Sequence, residues 1–443
     1  MSGIGTARSS SATSATNDER IRQLIDAAAQ SFANGRADEA ARFLRQAESE
    51  APRHPLVLNE IARRMLLGNN PSVACDLLKE AIKNEPRDPS MWINLAAALR
   101  GLNHPDEELA AIDKALELEP ANIRALMQKA SLQELQGKPR AAAATYRTML
   151  QLIPPSAEVP PSMQPILAHA KQAVETNNHA LETFLEERLT DLRTRHSDVS
   201  LGRFDRCLAT LVQKQRVYRP QPSFMYFPYL PAIEFHERGE FPWLDAIEAA
   251  TDDIRAELVN VLSDGDSVLE PYVTREQKGP SQQQWRELQH SRRWGVYYLW
   301  REGVAHPEHI ERCPRTVAAL QNWPRCDIPG CAPTAVFSIL DAKTHIPPHT
   351  GINNTRLLVH LPLIVPPGCG FRVGAEKREW HPGKAFIFDD TIEHEAWNDS
   401  DEPRAVLILD IWNPAVTEAE RDMVRSTIAG VNEYYGFSQH QGV

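Results

Sequence analysis

Three residues in the last quarter of the chain have the types and spacing to do chemistry together. His349 lies in THIPPHTGINNTRLLVH, His394 follows forty-five residues later in AFIFDDTIEHEAW, and Arg404 stands ten residues beyond it in PRAVLILDIW. Two imidazoles can hold a divalent transition metal, and one guanidinium can clamp a carboxylate with its bidentate fork. Iron(II) sites built on two histidines commonly add an Asp or Glu two residues after the first. Here that position is Gly351. The neighbouring acids Asp389 and Asp390 read as groups that shape a turn and hydrogen-bond around the site. His345, Glu393 and Glu395 are left out of the ligand set.

Such residues need a rigid frame. Residues 334–412 break into short β-rich runs, TAVFSIL, THIPPHT, TRLLVHLPLIV, GFRVG, KREW, KAFIFD, EHEAWN and RAVLILDIW, separated by Pro, Gly, Asn or Asp. This spacing fits a jelly-roll, a double-stranded β-helix whose inward side chains from several strands converge on one point. Upstream, the aromatic and proline-rich stretch from Pro220 suits a strand-and-turn entry to a new domain. A helix is expected over about 243–262, a buried strand over 294–300 and a short helix over 315–323. His236, His290, His306 and His309 are isolated in this region and are not assigned to a metal.

The first third repeats itself. Pro52, Pro86, Pro120 and Pro154 are each 34 residues apart, and so are Ala28, Ala62, Ala96 and Ala130. Gly35, Asn69, Asn103 and Gly137 hold another register, and Ala40, Ala74 and Ala142 a further one in which Glu108 is the exception. Small residues let helices approach closely, Gly and Asn suit tight turns, and proline ends the second helix of each pair. The pattern resembles the tetratricopeptide (TPR) repeat, as four repeats over residues 20–160. That resemblance implies a concave surface for a peptide or protein partner. Residues 164–196 continue as a long helix capping the stack, with a dimer-forming coiled coil as the alternative.

Bulk composition narrows the field. Hydrophobic residues make up 42% and charged residues 24% of the 443, as in globular proteins. A net charge of -11 argues against nucleic-acid or anionic-membrane partners, and no run approaches the roughly 18 apolar residues of a membrane span. The polar start, residues 1–19, reads as a disordered tail with no signal peptide. The six scattered cysteines read as reduced thiols of a cytoplasmic protein, a Cys326–Cys331 or Cys313–Cys326 disulfide being the alternative.

The segments HIPPHTGINNTRLLVHLPL and GKAFIFDDTIEHEAWNDSDEPRAVLILDIWNP closely resemble the aspartyl/asparaginyl β-hydroxylase family over about 80 residues, more weakly back to Pro220. The resemblance implies an iron(II)- and 2-oxoglutarate-dependent dioxygenase, consuming O2 and supported by ascorbate. It implies His349 and His394 as metal ligands, with Gly351 in place of the absent acid. Arg404 and Ser338 would receive the distal carboxylate of 2-oxoglutarate, and His360 the end nearest the metal. One position departs from the family: Leu358 stands where an arginine grasps a substrate carboxylate, although Arg356 is close by. The chain is therefore expected to be multidomain. An all-α TPR solenoid (20–160) and connecting helices (161–219) precede a cupin-like oxygenase domain with flanking helices (220–443, core 334–412). The expected reaction is hydroxylation of an Asp/Asn-type residue of a peptide or protein held partly by the repeats. The alternatives are a small-molecule (free amino acid or acyl) hydroxylase or an inactive scaffold.

Overall fold

The 34-residue register is written directly into the backbone. In the computed structural model, Gly35, Asn69, Asn103 and Gly137 have φ of +73°, +58°, +59° and +68°, the left-handed geometry of a turn between paired helices. Residues 7–154, 156–265, 268–274 and 282–436 are described. The chain divides into two compact units, Met1–Gln213 and Lys214–Val443.

In the first unit the pairs are α1 (Ala7–Ala33) with α2 (Ala37–Glu50), α3 (Pro55–Leu67) with α4 (Pro71–Asn84), α5 (Pro89–Gly101) with α6 (Pro105–Leu118), and α7 (Ile123–Leu135) with α8 (Pro139–Gln151). Proline opens α3, α4, α5, α6 and α8, where a missing N–H costs nothing. Ala28, Ala62, Ala96 and Ala130 are all buried. Glu108, the exception in its register, is also buried and is matched by Arg100 at 2.7 Å. α9 (Gln164–Arg195) packs Leu167, Ala170 and Val174 on the last repeat, and α10 (Gly202–Leu211) follows. One expectation is corrected. Residues 7–19, expected as a tail, are the first turns of α1, because nothing between Ala7 and Ala33 is Gly or Pro to stop it. Residues 1–6 lie outside the described residues.

The second unit is built on strands β1 (Glu270–Pro271), β2 (Trp294–Arg301), β3 (Val304–Ala305), β4 (Ala335–Leu340), β5 (Thr344–His349) and β6 (Arg356–Ile364). They continue as β7 (Cys369–Val373), β8 (Glu376–Glu379), β9 (Phe386–Phe388), β10 (His394–Asn398) and β11 (Arg404–Trp412). The last eight pair as a nest: β4 with β11, β5 with β10, β6 with β9, β7 with β8, all antiparallel. Successive pairs alternate between two sheets, ordered β1-β2-β4-β11-β6-β9 and β5-β10-β7-β8. This is a long hairpin rolled into a jelly-roll.

Alternation along each strand decides what lies between the sheets. Leu340, Trp294, Val406 and Phe388 meet Ile346, Phe371 and Ala396 in the interior. Phe337, Ile339, Val359 and Leu407 face outward onto helices. Those helices are α11 (Leu244–Ala249) and α12 (Thr251–Leu262), which replace the single helix expected over 243–262. The break comes at Ala250, where the Thr251 hydroxyl donates to the Glu248 carbonyl at 2.6 Å. The remaining helices are α13 (Gln282–Trp285), α14 (Pro307–Arg312), α15 (Pro314–Ala319) and α16 (Glu418–Tyr435). Among the described residues no helix is long and apolar enough to cross a membrane.

Candidate metal and cosubstrate site

His349 is the last residue of β5 and His394 the first of β10, and the two are direct cross-strand partners. Their ring centroids lie 4.1 Å apart. In each ring Nδ1 meets a backbone carbonyl two residues back, Pro347 at 2.8 Å for His349 and Ile392 at 3.1 Å for His394. A carbonyl only accepts, so each Nδ1 donates and each Nε2 keeps its lone pair. Burial lowers the pKa of His349 to about 3, helped by the neighbouring His394, and that of His394 to about 4. Both rings are therefore held neutral and singly oriented, the state a metal needs. Among the described residues no group of three or more His, Cys, Asp or Glu could hold a metal.

The absent acid at Gly351 has a steric cause. A Cβ there would lie 2.6 Å from Asp390 Oδ1 and nearer still to Oδ2. The Gly351 N–H also donates to the Asp390 carbonyl at 2.6 Å. The carboxyl of Asp390 thus fills the space that a side chain at 351 would use. Asp389 does what a turn residue does, accepting from the Thr391 N–H at 2.9 Å and hydroxyl at 2.6 Å.

Arg404 opens β11 opposite Leu340 and is 2% exposed. Its guanidinium lies 4.9 Å from the centre of the Trp380 ring, and its Nε has no hydrogen-bond partner. No carboxylate of the described residues pairs with it. Burial pulls its pKa down to about 10. A buried cation without a counter-charge is costly, and an anion from outside would relieve it. Ser338 lies opposite Val406, next along the same interior row, and accepts from Trp294 Nε1 at 3.0 Å. His360 lies opposite Ile408, stacks on Trp380 at 5.7 Å and has an unpartnered Nδ1. Burial drives its pKa far down, with Arg404 and His394 adding to the effect. The interior of one barrel therefore brings together all five residues singled out in the sequence.

Other histidines stay away from this centre. His345 is exposed and pairs with Glu395 at 2.9 Å, while Glu393 and Glu395 both hold Arg372. His309 stacks on Tyr297, and His306 on His309. Several residues of the site escaped the sequence reading. Trp285 and Trp294 stand 5.2 and 6.4 Å from the His349 ring, and Trp380 lies between Arg404 and His360. Arg356 proves to be paired, with Asp390 at 3.2 Å and Asp410 at 3.3 Å. The alternation KREW could have flagged Trp380 as inward-facing, but no motif marks its neighbours.

Known proteins resemble this chain in two separate stretches. Residues 248–414 match the family model described as Aspartyl/Asparaginyl beta-hydroxylase, and residues 89–122 match that of the Tetratricopeptide repeat. The mouse aspartyl/asparaginyl beta-hydroxylase is 38% identical over 130 residues, 29% of this chain and 17% of that protein. The ornithine lipid ester-linked acyl 2-hydroxylase of Rhizobium tropici is 37% identical over 191 residues, 42% of this chain and 62% of that protein. The chain thus spans less than two thirds of the length of either hydroxylase. A thermophilic TPR protein of Thermus thermophilus aligns with a TM-score of 0.30 at 22% identity, covering 40% of this chain and 97% of that one.

Proposed function

We propose that the chain is an iron(II)- and 2-oxoglutarate-dependent dioxygenase that hydroxylates an unactivated carbon of a peptide or protein held partly by the helical repeats. The observation that carries this reading is Arg404, a buried guanidinium with no counter-anion among the described residues, in the same interior as two neutral, cross-strand histidines. His349 and His394 would hold the metal through Nε2. Arg404 would take the distal carboxylate of 2-oxoglutarate with Ser338 beside it, and His360 would meet the end nearest the metal. Trp380, Phe371 and Phe388 pack around His360 and keep water from that end. When bound, iron(II) with 2-oxoglutarate and O2 supplies the oxidising power, yielding succinate and CO2 beside the hydroxylated product. All six cysteines are free, which fits the reducing cytoplasm. A second reading, hydroxylation of an acyl chain, is favoured by the apolar Leu358 and by the likeness to an acyl hydroxylase.

The test is succinate release from 2-oxoglutarate by the full chain with iron(II), ascorbate and O2. We expect turnover in the wild type and none in His349→Ala or His394→Ala. Equal succinate release by both variants would remove the metal assignment.

A further inference from the structure

The two histidines meet where proline thins the ladder between their strands. β5 is an edge strand of the sheet ordered β5-β10-β7-β8, and Pro347 and Pro348 stand just before His349. Proline has no N–H, so neither residue can donate to β10. The pairing also shifts here: Ile346 faces Ala396 and His349 faces His394, which leaves Glu395 alone against two prolines in a β-bulge. The Pro347 carbonyl is already taken by the His349 ring. Backbone pairing alone therefore sets the separation of the two rings only loosely.

Side chains on the outer face of the sheet make up the deficit. Ala396 and Phe371 point into the barrel, so Glu395 and Arg372, direct partners on β10 and β7, point out. Arg372 is 9% exposed and uses all three guanidinium nitrogens around His394. Its Nε donates to Glu395, one Nη to Glu393 at 3.0 Å and the other to the Gly374 carbonyl at 2.6 Å. The Gly374 N–H in turn donates to the Glu393 carbonyl at 2.8 Å. The residues on either side of His394 are thus tied to one planar group, itself seated 5.5 Å from the centre of the Tyr218 ring. Glu395 also accepts from His345 Nε2 at 2.9 Å, and His345 lies on β5 with His349. One chain of polar contacts crosses β7, β10 and β5 behind the two rings.

We infer that Arg372 is a positioning residue for the metal, bracing His394 from the outer face, with Glu395 and His345 carrying the brace across to the strand of His349. This role rests on the two histidines being metal ligands. It also has a sign that charge alone does not. A guanidinium near a divalent cation repels it, so by Coulomb's law its removal tightens binding. Removal of a brace lets the rings drift from the separation that a metal needs, and binding weakens.

Co(II) binding to the full chain, followed by its d–d absorption below the melting temperature of every variant, separates the two. Arg372→Gln should weaken Co(II) binding about tenfold. Arg372→Lys keeps the charge but not the fork and should also bind more weakly, which decides the matter should Arg372→Gln fail to fold. His345→Ala cuts only the link to β5 and should cost about threefold. Lys377→Gln removes a cation directly opposite Arg372 on the same face and should leave the affinity at its wild-type value. Unchanged or tighter binding by the Arg372 variants would overturn the role, as would an equal loss in Lys377→Gln. A wild-type chain that takes up no Co(II) would remove the metal assignment, and this role with it.

Discussion

At the scale of single residues, the site is a set of groups held in the protonation state that burial imposes. A free imidazole titrates near 6.5, whereas burial lowers His349 to about 3 and His394 to about 4. Below 6.5 the unfolded chain takes up protons that the folded chain refuses, so folding stability must fall with pH there. Above 6.5 both states bind the same number and the effect vanishes. Buried Asp389 and Asp410, raised to about 7, act with the opposite sign, so the histidine contribution is read by difference: the metal-free wild type should lose melting temperature relative to His349→Gln as pH drops from 6.5 toward 4. A difference that stays constant across that range would refute the burial argument. His349, His394 and Arg404 were legible because their chemistry is rare at that spacing. Trp380 and the Arg356–Asp410 pair were not, since a side chain's partner 54 residues away leaves no local trace.

Elements show why two positions tolerate only glycine. On the outer face of the smaller sheet Gly370 is opposite Trp397, and a Cβ there would overlap the indole. At Gly351 the obstacle is the Asp390 carboxyl. Gly351→Ala should push that carboxyl off Arg356 and cost about 1–3 kcal/mol in denaturant unfolding. Wild-type stability would mean that Asp390 swings away freely. Each of the last eight strands was visible in the sequence, because a two-residue alternation bounded by turn residues is a local signal. Their nested pairing was not, because alternation names a strand without naming its neighbour. The α11–α12 break was hidden for a similar reason: it coincides with a single Thr251 hydroxyl reaching back to the Glu248 carbonyl.

At the scale of the whole molecule, the chain divides into two compact units, each with hydrophobic clusters of its own. Calorimetry should then resolve two unfolding steps. Zn(II) with 2-oxoglutarate should raise only the step of the second unit, by mass action on its folded state. A shift of both steps together would show the two cores to be coupled. The repeats were the easiest part to read, since a period restates itself four times. A further consequence follows from the place of β11, which lies between β4 and β6 although it is the last strand made. During synthesis the earlier strands must wait with a vacant slot at the centre of their sheet, their ladder bonds open to water or to a stray segment. The strand that fills the slot begins with Arg404. The sheet is closed and its buried guanidinium delivered in a single late event, so a chain truncated before residue 404 would be an aggregation hazard.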